Sequence, residues 1–291
     1  MNIDTGKYLI RLLDKNNNEE LREVQRLRYK YLLQIYNPNL PDGGLDNDGY
    51  DEYSDTLLVI DKGSGEIAGG YRLSTKKSNY KKHFLTEEEY DIKELIDSND
   101  DFVELSRAFV RKEYQNGVVI ALLFLGIYHY TIENNCKYFI GLCSFHGTNP
   151  NLYQNAFSLL KSDYSFTDYE FKAIKNSFNL DYYKKEEIDY IKARKEIPGL
   201  LKMYLKFGCK VGYNGTIDYS FNCIDVLLCA KVCDLDERYI NHLLRYEINW
   251  RFTLICKSFY FKYLYHIFRN CFQNIKKEFK KIIKWCIINK V

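Results

Sequence analysis

The sequence predicts an α/β fold: a single mixed sheet flanked by helices. Three observations carry that expectation. Two strand-like apolar runs, 56–61 and 66–74, flank the turn Lys62-Gly63-Ser64-Gly65 as a hairpin. A further strand candidate, 101–110, is followed by Gly117, a long apolar helix and another strand. With 46% hydrophobic and 28% charged residues over 291 positions, the chain has material for a sizeable core and does not have the composition of a disordered one.

In chain order, residues 17–36 read as a helix, because Leu21, Val24, Leu27, Tyr31 and Leu32 recur at helical spacing with Glu and Arg between them. Two prolines and two glycines in 37–44 end it. An acidic stretch, Asp46, Asp48, Asp51, Glu52 and Asp55, leads into the hairpin. Gly117 then opens a helix from Val118 to about Asn134, and 137–145 returns as a strand. Asn149-Pro150 begins a helical or irregular region reaching about Asn179, and the charge-rich 181–195 reads as a solvated connection. Residues 200–207 predict a short helix, 208–213 and 226–233 strands, and 236–245 a last helix.

The net charge of +3 hides an asymmetry. From Arg251 onward ten lysines and arginines face only Glu278, so the end carries +9 and the preceding 250 residues −6. So small a total does not point to nucleic acid. The expected organisation is a body over 1–245 and a basic aromatic helical tail over 246–291. In the tail, Phe252, Ile255, Phe259, Leu264, Ile267, Phe268, Cys271 and Ile275 recur at steps of three and four, with Lys276, Lys277, Lys280, Lys281 and Lys284 nearby. A basic amphipathic helix of this kind suits an anionic membrane surface, while packing on its own domain is the alternative.

Nine cysteines without a secretory signal in the mixed, polar opening Met1–Leu12 predict free thiols in a reducing, cytoplasmic compartment. Cys229 and Cys233 have no partner pair at zinc-like spacing, so no metal site is expected. The longest apolar run, 118–127, is far short of the roughly 20 residues a bilayer span needs. At Gly117 a strand runs through a loop into a helix N-terminus, a geometry that holds phosphates, though it also serves plain helix packing.

Four stretches taken together resemble the Gcn5-related N-acyltransferase superfamily, in the branch that draws fatty acyl groups from acyl carrier protein. They are Arg26-Leu27-Arg28-Tyr29; the acidic loop 44–51 followed by Leu57–Asp61 and Gly69-Gly70-Tyr71-Arg72-Leu73; Glu104-Leu105-Ser106-Arg107-Ala108-Phe109-Val110; and Gly141-Leu142-Cys143-Ser144-Phe145-His146-Gly147-Thr148-Asn149-Pro150. A looser match lies in 204–208 and 218–226, so the resemblance spans roughly residues 20 to 245. That branch contains the ornithine N-acyltransferases and the long-chain N-acyl amino acid synthases. The acyl-homoserine-lactone synthases share part of the pattern and stand second, and a non-catalytic module that kept the fold, docking through its tail, stands third.

The resemblance implies no bound cofactor and a donor thioester on the phosphopantetheine of acyl carrier protein. Acyl-CoA is disfavoured, since Tyr114 stands where the superfamily's phosphate pattern carries Gln or Arg. Ornithine is the first acceptor implied. Amide formation needs a proton acceptor for the amine and stabilisation of the carbonyl oxygen. Glu104, an acid among apolar strand residues, is the leading base, where burial raises a carboxyl's proton affinity; Asp48 joins it as a catalytic candidate. Glu104 and Arg107 differ by three, so a regular strand turns them to opposite faces. Arg28 and Arg72 are candidates for the acceptor carboxylate, with salt bridges to the acidic loop as the rival. Asp46 and Arg107 complete the substrate-binding set. Gly117, Ser144 and Phe145 are the residues expected to hold the acyl donor. Cys143 is expected as a buried thiol and His146 as a surface loop residue.

Overall fold

The computed structural model describes residues 1–80 and 83–248. Its elements run β1 (Asn2–Asp4), β2 (Tyr8–Leu12), α1 (Asn18–Arg28), a π-helical turn Tyr29–Leu33, α2 (Gln34–Tyr36), β3 (Asp55–Asp61) and β4 (Ile67–Thr75). There follow a short 3-10 turn Leu85–Glu88, β5 (Tyr90–Asp91), α3 (Lys93–Asp97), β6 (Phe102–Val110), α4 (Val118–Glu133) and β7 (Tyr138–His146). The second half holds α5 (Gln154–Asp163), β8 (Lys172–Ala173), β9 (Ser177–Phe178), α6 (Tyr190–Glu196), α7 (Gly199–Lys206), β10 (Lys210–Asp218), β11 (Cys223–Lys231) and α8 (Glu237–Ile248).

Among the described residues nine strands form one sheet in the order β1-β2-β3-β4-β6-β7-β11-β10-β9, and β5 pairs with β8 beside it. Every neighbour in the large sheet is antiparallel except β6 and β7. That parallel pair requires a crossover, which α4 supplies. Its registered pairing runs only from Phe102–Tyr138 to Leu105–Gly141, although both strands continue for several residues. Beyond that point the strands part, which leaves a wedge in the middle of the sheet. Gly141 sits at its apex because a side chain there would strike the carbonyl of Leu105, 2.6 Å from where a Cβ would stand.

One face of the sheet packs on α4. Val119, Leu122, Leu123 and Leu125 meet Leu57, Val59, Leu73, Val103 and Leu105 in the main core. The helix is apolar nearly all round because further elements, including Tyr204 of α7 and Leu243 of α8, join the same cluster. Gly126 lets it approach: a Cβ there would lie within 3 Å of Leu57 and Ile10. The other face is covered in two parts. Val24 and Leu27 of α1 pack on Leu58 and Phe109, and Phe84, Tyr90, Ile92 and Leu95 pack on Phe102, Ile140 and Leu227. This second face carries the polar residues discussed below.

The expected α/β sheet is the fold observed. Three stretches differ from expectation. The polar opening forms the edge strands β1 and β2 against β3, where Leu9 and Arg11 alternate with buried Tyr8 and Ile10. The connection 181–195 contains most of α6, which Asp189 caps through the N–H groups of Ile191 and Lys192 and which buries Ala193. α8 continues past residue 245 to Ile248, and Glu247 bonds His129 of α4. The remainder of the tail expected over 246–291 lies outside the described residues.

Candidate active site

The polar face starts at a bulge. β4 and β6 pair Arg72 with Ser106 and Gly70 with Phe109, so Arg107 and Ala108 together oppose Tyr71 alone. Arg107 takes φ +54°, uncommon for a residue with a side chain. The extra residue cancels strict alternation. Arg107 therefore reaches the acidic loop on the face that carries Arg72, and the expectation that it points away from Glu104 is corrected. The two still do not pair with each other, because each has other partners.

Those partners form a closed network. Arg28 grips Asp51 with both terminal nitrogens at 2.7 and 2.6 Å, donates to the Asp46 carbonyl at 2.8 Å, and holds Asp46 Oδ2 2.9 Å from Nε as an ion pair without hydrogen-bond alignment. Arg72 grips Asp48 at 2.6 and 2.8 Å and donates to Ser106 at 3.0 Å. Arg107 donates to Asp46 at 3.1 Å and meets Asp48 at 2.9 Å. Three guanidinium groups thus neutralise three carboxylates. Arg28 and Arg72 are each about 1% exposed. Of the two readings open for them, the structure displays the salt bridges to the loop: both guanidinium groups are filled by aspartates. Gln25 of α1 adds a bond to Asp51 at 3.0 Å.

Asp48 is half shielded. Burial alone would raise its carboxyl, but Arg72 and Arg107 more than offset this and hold it at about 2. So acidic a group is a poor proton acceptor near neutrality, and the expectation of a catalytic Asp48 becomes that of a clamp on two arginines.

Glu104 lies opposite Ser74, 1% exposed. Its Oε1 accepts the Thr86 N–H at 2.7 Å and its Oε2 the Leu85 N–H at 3.2 Å. Burial raises its carboxyl above the ordinary range, and the Thr86 and Leu85 N–H groups and the charge of Arg72 offset only part of that. The segment 84–88 covers it, a feature that sequence reasoning did not anticipate.

Across the wedge the donor candidates separate. Ser144 lies on the polar face and donates to Asp225 Oδ1 at 2.5 Å. Phe145 points the other way and is fully buried against Tyr153 and Phe157, so it does not share the polar face with Ser144. Gly117 caps α4 at φ +87°, a left-handed conformation that favours glycine, while Asn116 Oδ1 accepts the Val118 N–H. Tyr114, just before it, donates to Glu66 at 3.1 Å, and Arg111 meets Glu66 and Glu113 at 3.0 and 3.8 Å. Cys143 is buried and burial drives its thiol far above the ordinary value, the opposite of an activated nucleophile. His146 is exposed and stacks on Tyr36 at 4.6 Å.

Sequence reasoning missed a second acidic group. Asp218, Cys223 and Asp225 bring one ligand atom each within 4.8 Å of one another. Asp225 is 3% exposed and accepts from Cys223 Sγ at 3.1 Å. Glu89, at the end of the segment that covers Glu104, is also buried. An apolar cavity of about 20 Å³ lies behind Leu105 and Phe139, walled by Phe124, Ile127 and Leu243. Among the described residues no helix is long and apolar enough to cross a membrane.

Comparison with known proteins places this arrangement. Residues 27–125 match the acetyltransferase (GNAT) domain family. An L-ornithine N(alpha)-acyltransferase of Brucella abortus is 30% identical over 207 residues, 68% of this chain and 74% of that protein. The enzyme of the same name from Agrobacterium fabrum is 28% identical over 240 residues, 78% of this chain and 82% of its own. That of Rhodobacter capsulatus is 26% identical, covering 80% and 93%. Among solved structures, an N-acyl amino acid synthase from uncultured soil microbes is similar with a TM-score of 0.42 at 11% identity, over 77% of this chain and 91% of that one.

Proposed function

Since this chain belongs to the GNAT acyltransferases, in the family of the L-ornithine N(alpha)-acyltransferases, we propose that it joins a long-chain fatty acyl group from acyl carrier protein to the α-amine of an amino acid, ornithine first. The observation that carries this reading is the wedge between β6 and β7, with buried Glu104 on the strand that leaves it. In the proposed reaction the amine nitrogen attacks the thioester carbonyl, a C–N bond forms, the C–S bond breaks and the thiol leaves with a proton. Glu104 is proposed to accept the proton the amine sheds. Its raised carboxyl suits that task, and its two backbone donors fix it in place without cancelling its charge. The arginine–aspartate network is proposed to hold β4, β6 and α1 at fixed spacing around the acceptor, a positioning role for Arg28, Arg72, Arg107, Asp46 and Asp48.

The turn before Gly117 supports the preference for a carrier-protein donor. Glu66 and Glu113 both engage Arg111 there, so a pyrophosphate would meet carboxylates beside the helix N-terminus. The thioester is proposed to lie along the edge of β7 near Ser144. A cytoplasmic protein, touching the inner face of the membrane through its basic tail, is proposed from the tail's sequence. Liposome flotation of the full chain against a chain ending at Ile248 tests it, and equal flotation removes it.

The central test incubates the purified protein with acyl-loaded carrier protein, acyl-CoA and a mixture of amino acids, followed by mass spectrometry of the products. N-acyl-ornithine from the carrier-protein arm is expected. Lactones would favour the homoserine-lactone reading, and no product from either donor would overturn catalysis altogether.

A further inference from the structure

The two acidic groups on the polar face differ in one respect: the first is paired with three arginines, and among the described residues the second has no ion pair with a lysine or arginine. Glu89 is 6% exposed, and its Oε2 has no hydrogen-bond partner. An unpartnered buried carboxyl oxygen is rare and costly, and a ligand that donates to it would relieve that cost. The Glu89 carbonyl accepts the Ile174 N–H at 2.8 Å, and that of the next residue, exposed Lys175, accepts from Thr216, which pairs with Asp225, so Glu89 stands beside that strand pair and feels the charges of Asp225, Asp218, Lys175 and Glu88. Burial together with this like charge pushes Glu89 up to about 8. Asp225 holds only neutral donors, Ser144 Oγ and Cys223 Sγ, and burial raises it too. Asp218 is fixed by the Ser220 and Phe221 N–H groups at 2.8 and 3.0 Å. No ion pair joins Glu89, Asp225 or Asp218 to a lysine or arginine among the described residues. Asp225 stands opposite Ser144, on the part of β7 that has left β6, so this group borders the wedge.

We propose that Glu89, Asp225 and Asp218 form a recess that receives the side-chain ammonium of the acceptor and so selects cationic amino acids. The inference rests on the reading that this chain acylates an amino acid. An alkylammonium offers three N–H donors, matched here by three carboxyl groups. A metal would use Asp218, Cys223 and Asp225, whose ligand atoms lie within 4.8 Å of one another, but that set does not include Glu89, the group left unpartnered. Ornithine differs from norvaline, which has the same carbon chain, only by the terminal ammonium, so the pair isolates the contact.

The test uses the full chain, acyl-loaded carrier protein, and ornithine and norvaline as competing acceptors, reading kcat/KM for each. The wild type is expected to prefer ornithine, and Glu89→Gln to reduce that preference at least about tenfold through a higher ornithine KM, which is the loss of roughly one charged hydrogen bond. Because the readout is a ratio, losses of folded protein cancel, and Asp218→Asn at the half-buried rim serves if Glu89→Gln does not fold. An unchanged ratio overturns the proposal. Calorimetry of ornithine and norvaline binding without donor separates it from the catalytic reading: ornithine binding lost in Glu89→Gln supports the recess even if no acceptor is acylated, and equal binding overturns it. Mn²⁺ binding that Glu89→Gln abolishes while the ornithine preference stands would assign the recess to a metal and overturn it as well.

Discussion

The two sides of the wedge handle buried charge in opposite ways. On the α1 side, Arg28, Arg72 and Arg107 consume Asp46, Asp48 and Asp51 in bidentate and bridging pairs. On the β11 side, Glu89, Asp225 and Asp218 have no ion pair with an arginine among the described residues, and only the charge of Arg107 reaches Asp225. A closed network rigidifies what it joins, because breaking any member leaves an uncompensated charge in low dielectric. An unclosed one stores affinity for whatever cation arrives. The difference teaches that burial alone does not identify a binding residue. Arg28 and Glu89 are both buried and each has one atom without a hydrogen bond, but Arg28 Nε lies 2.9 Å from Asp46 in an ion pair, whereas no ion pair reaches Glu89 among the described residues.

The largest effect should come from Glu104, which belongs to neither group. Glu104→Gln is expected to lower turnover by at least about 100-fold while the chain stays folded, checked by product formation beside circular dichroism. Retained turnover would remove the acid from the proton-accepting role. Next, Arg28→Met should cost about 3–5 kcal/mol in urea unfolding, because Asp51 and Asp46 lose their buried cation. A loss under about 1 kcal/mol would erase the contrast between the two sides.

The pH dependence of stability sharpens the contrast further, since the sides act with opposite sign. Asp48 is depressed to about 2 in the folded chain, so its contribution of about 2 kcal/mol is present above the unfolded value near 4 and is lost as pH falls toward 2. Glu89 is raised to about 8, so the folded chain holds its proton longer than the unfolded one, and stability declines as pH rises from about 4.5 to about 8. Urea titrations across this range should show both slopes in the wild type and a weaker alkaline decline in Glu89→Gln. The smallest effect is a control. Asn17 caps α1 by accepting the Glu20 N–H at 3.0 Å, and Asn17→Ala should cost about 1 kcal/mol with the ornithine-to-norvaline ratio unmoved.

Much of this was legible in the residues. The hairpin around Gly63, the apolar helix after Gly117 and the strand 138–146 follow from periodicity and turn residues, which are local signals. Glu104 stood out as an acid between Val103 and Leu105. The same signal was present in Ile224-Asp225-Val226 and would have found Asp225. Glu89 had no such mark, since it sits among Glu87, Glu88 and Tyr90 and acquires its meaning only when Tyr90 is drawn under the sheet to bond the carbonyls of Asn214 and Asp225. Arg107 was misplaced for a different reason: the bulge depends on how β6 aligns with β4, and that register is set by distant pairing. Phe145 and Ser144 part to opposite faces because a motif names residues without telling which way a strand turns them.

The bulge works like a spare letter in a reading frame. With Ala108 present, Ser106 and Phe109 fall on one side of β6 although they are three apart, and the arginine between them stays with its aspartates. Were Ala108 deleted, alternation would be restored and Phe109 would keep its seat beneath α1. Arg107 would then turn inward, a bare guanidinium thrust into hydrocarbon under α4. A single small side chain with no chemistry of its own thus decides whether a charge serves the cleft or wrecks the core.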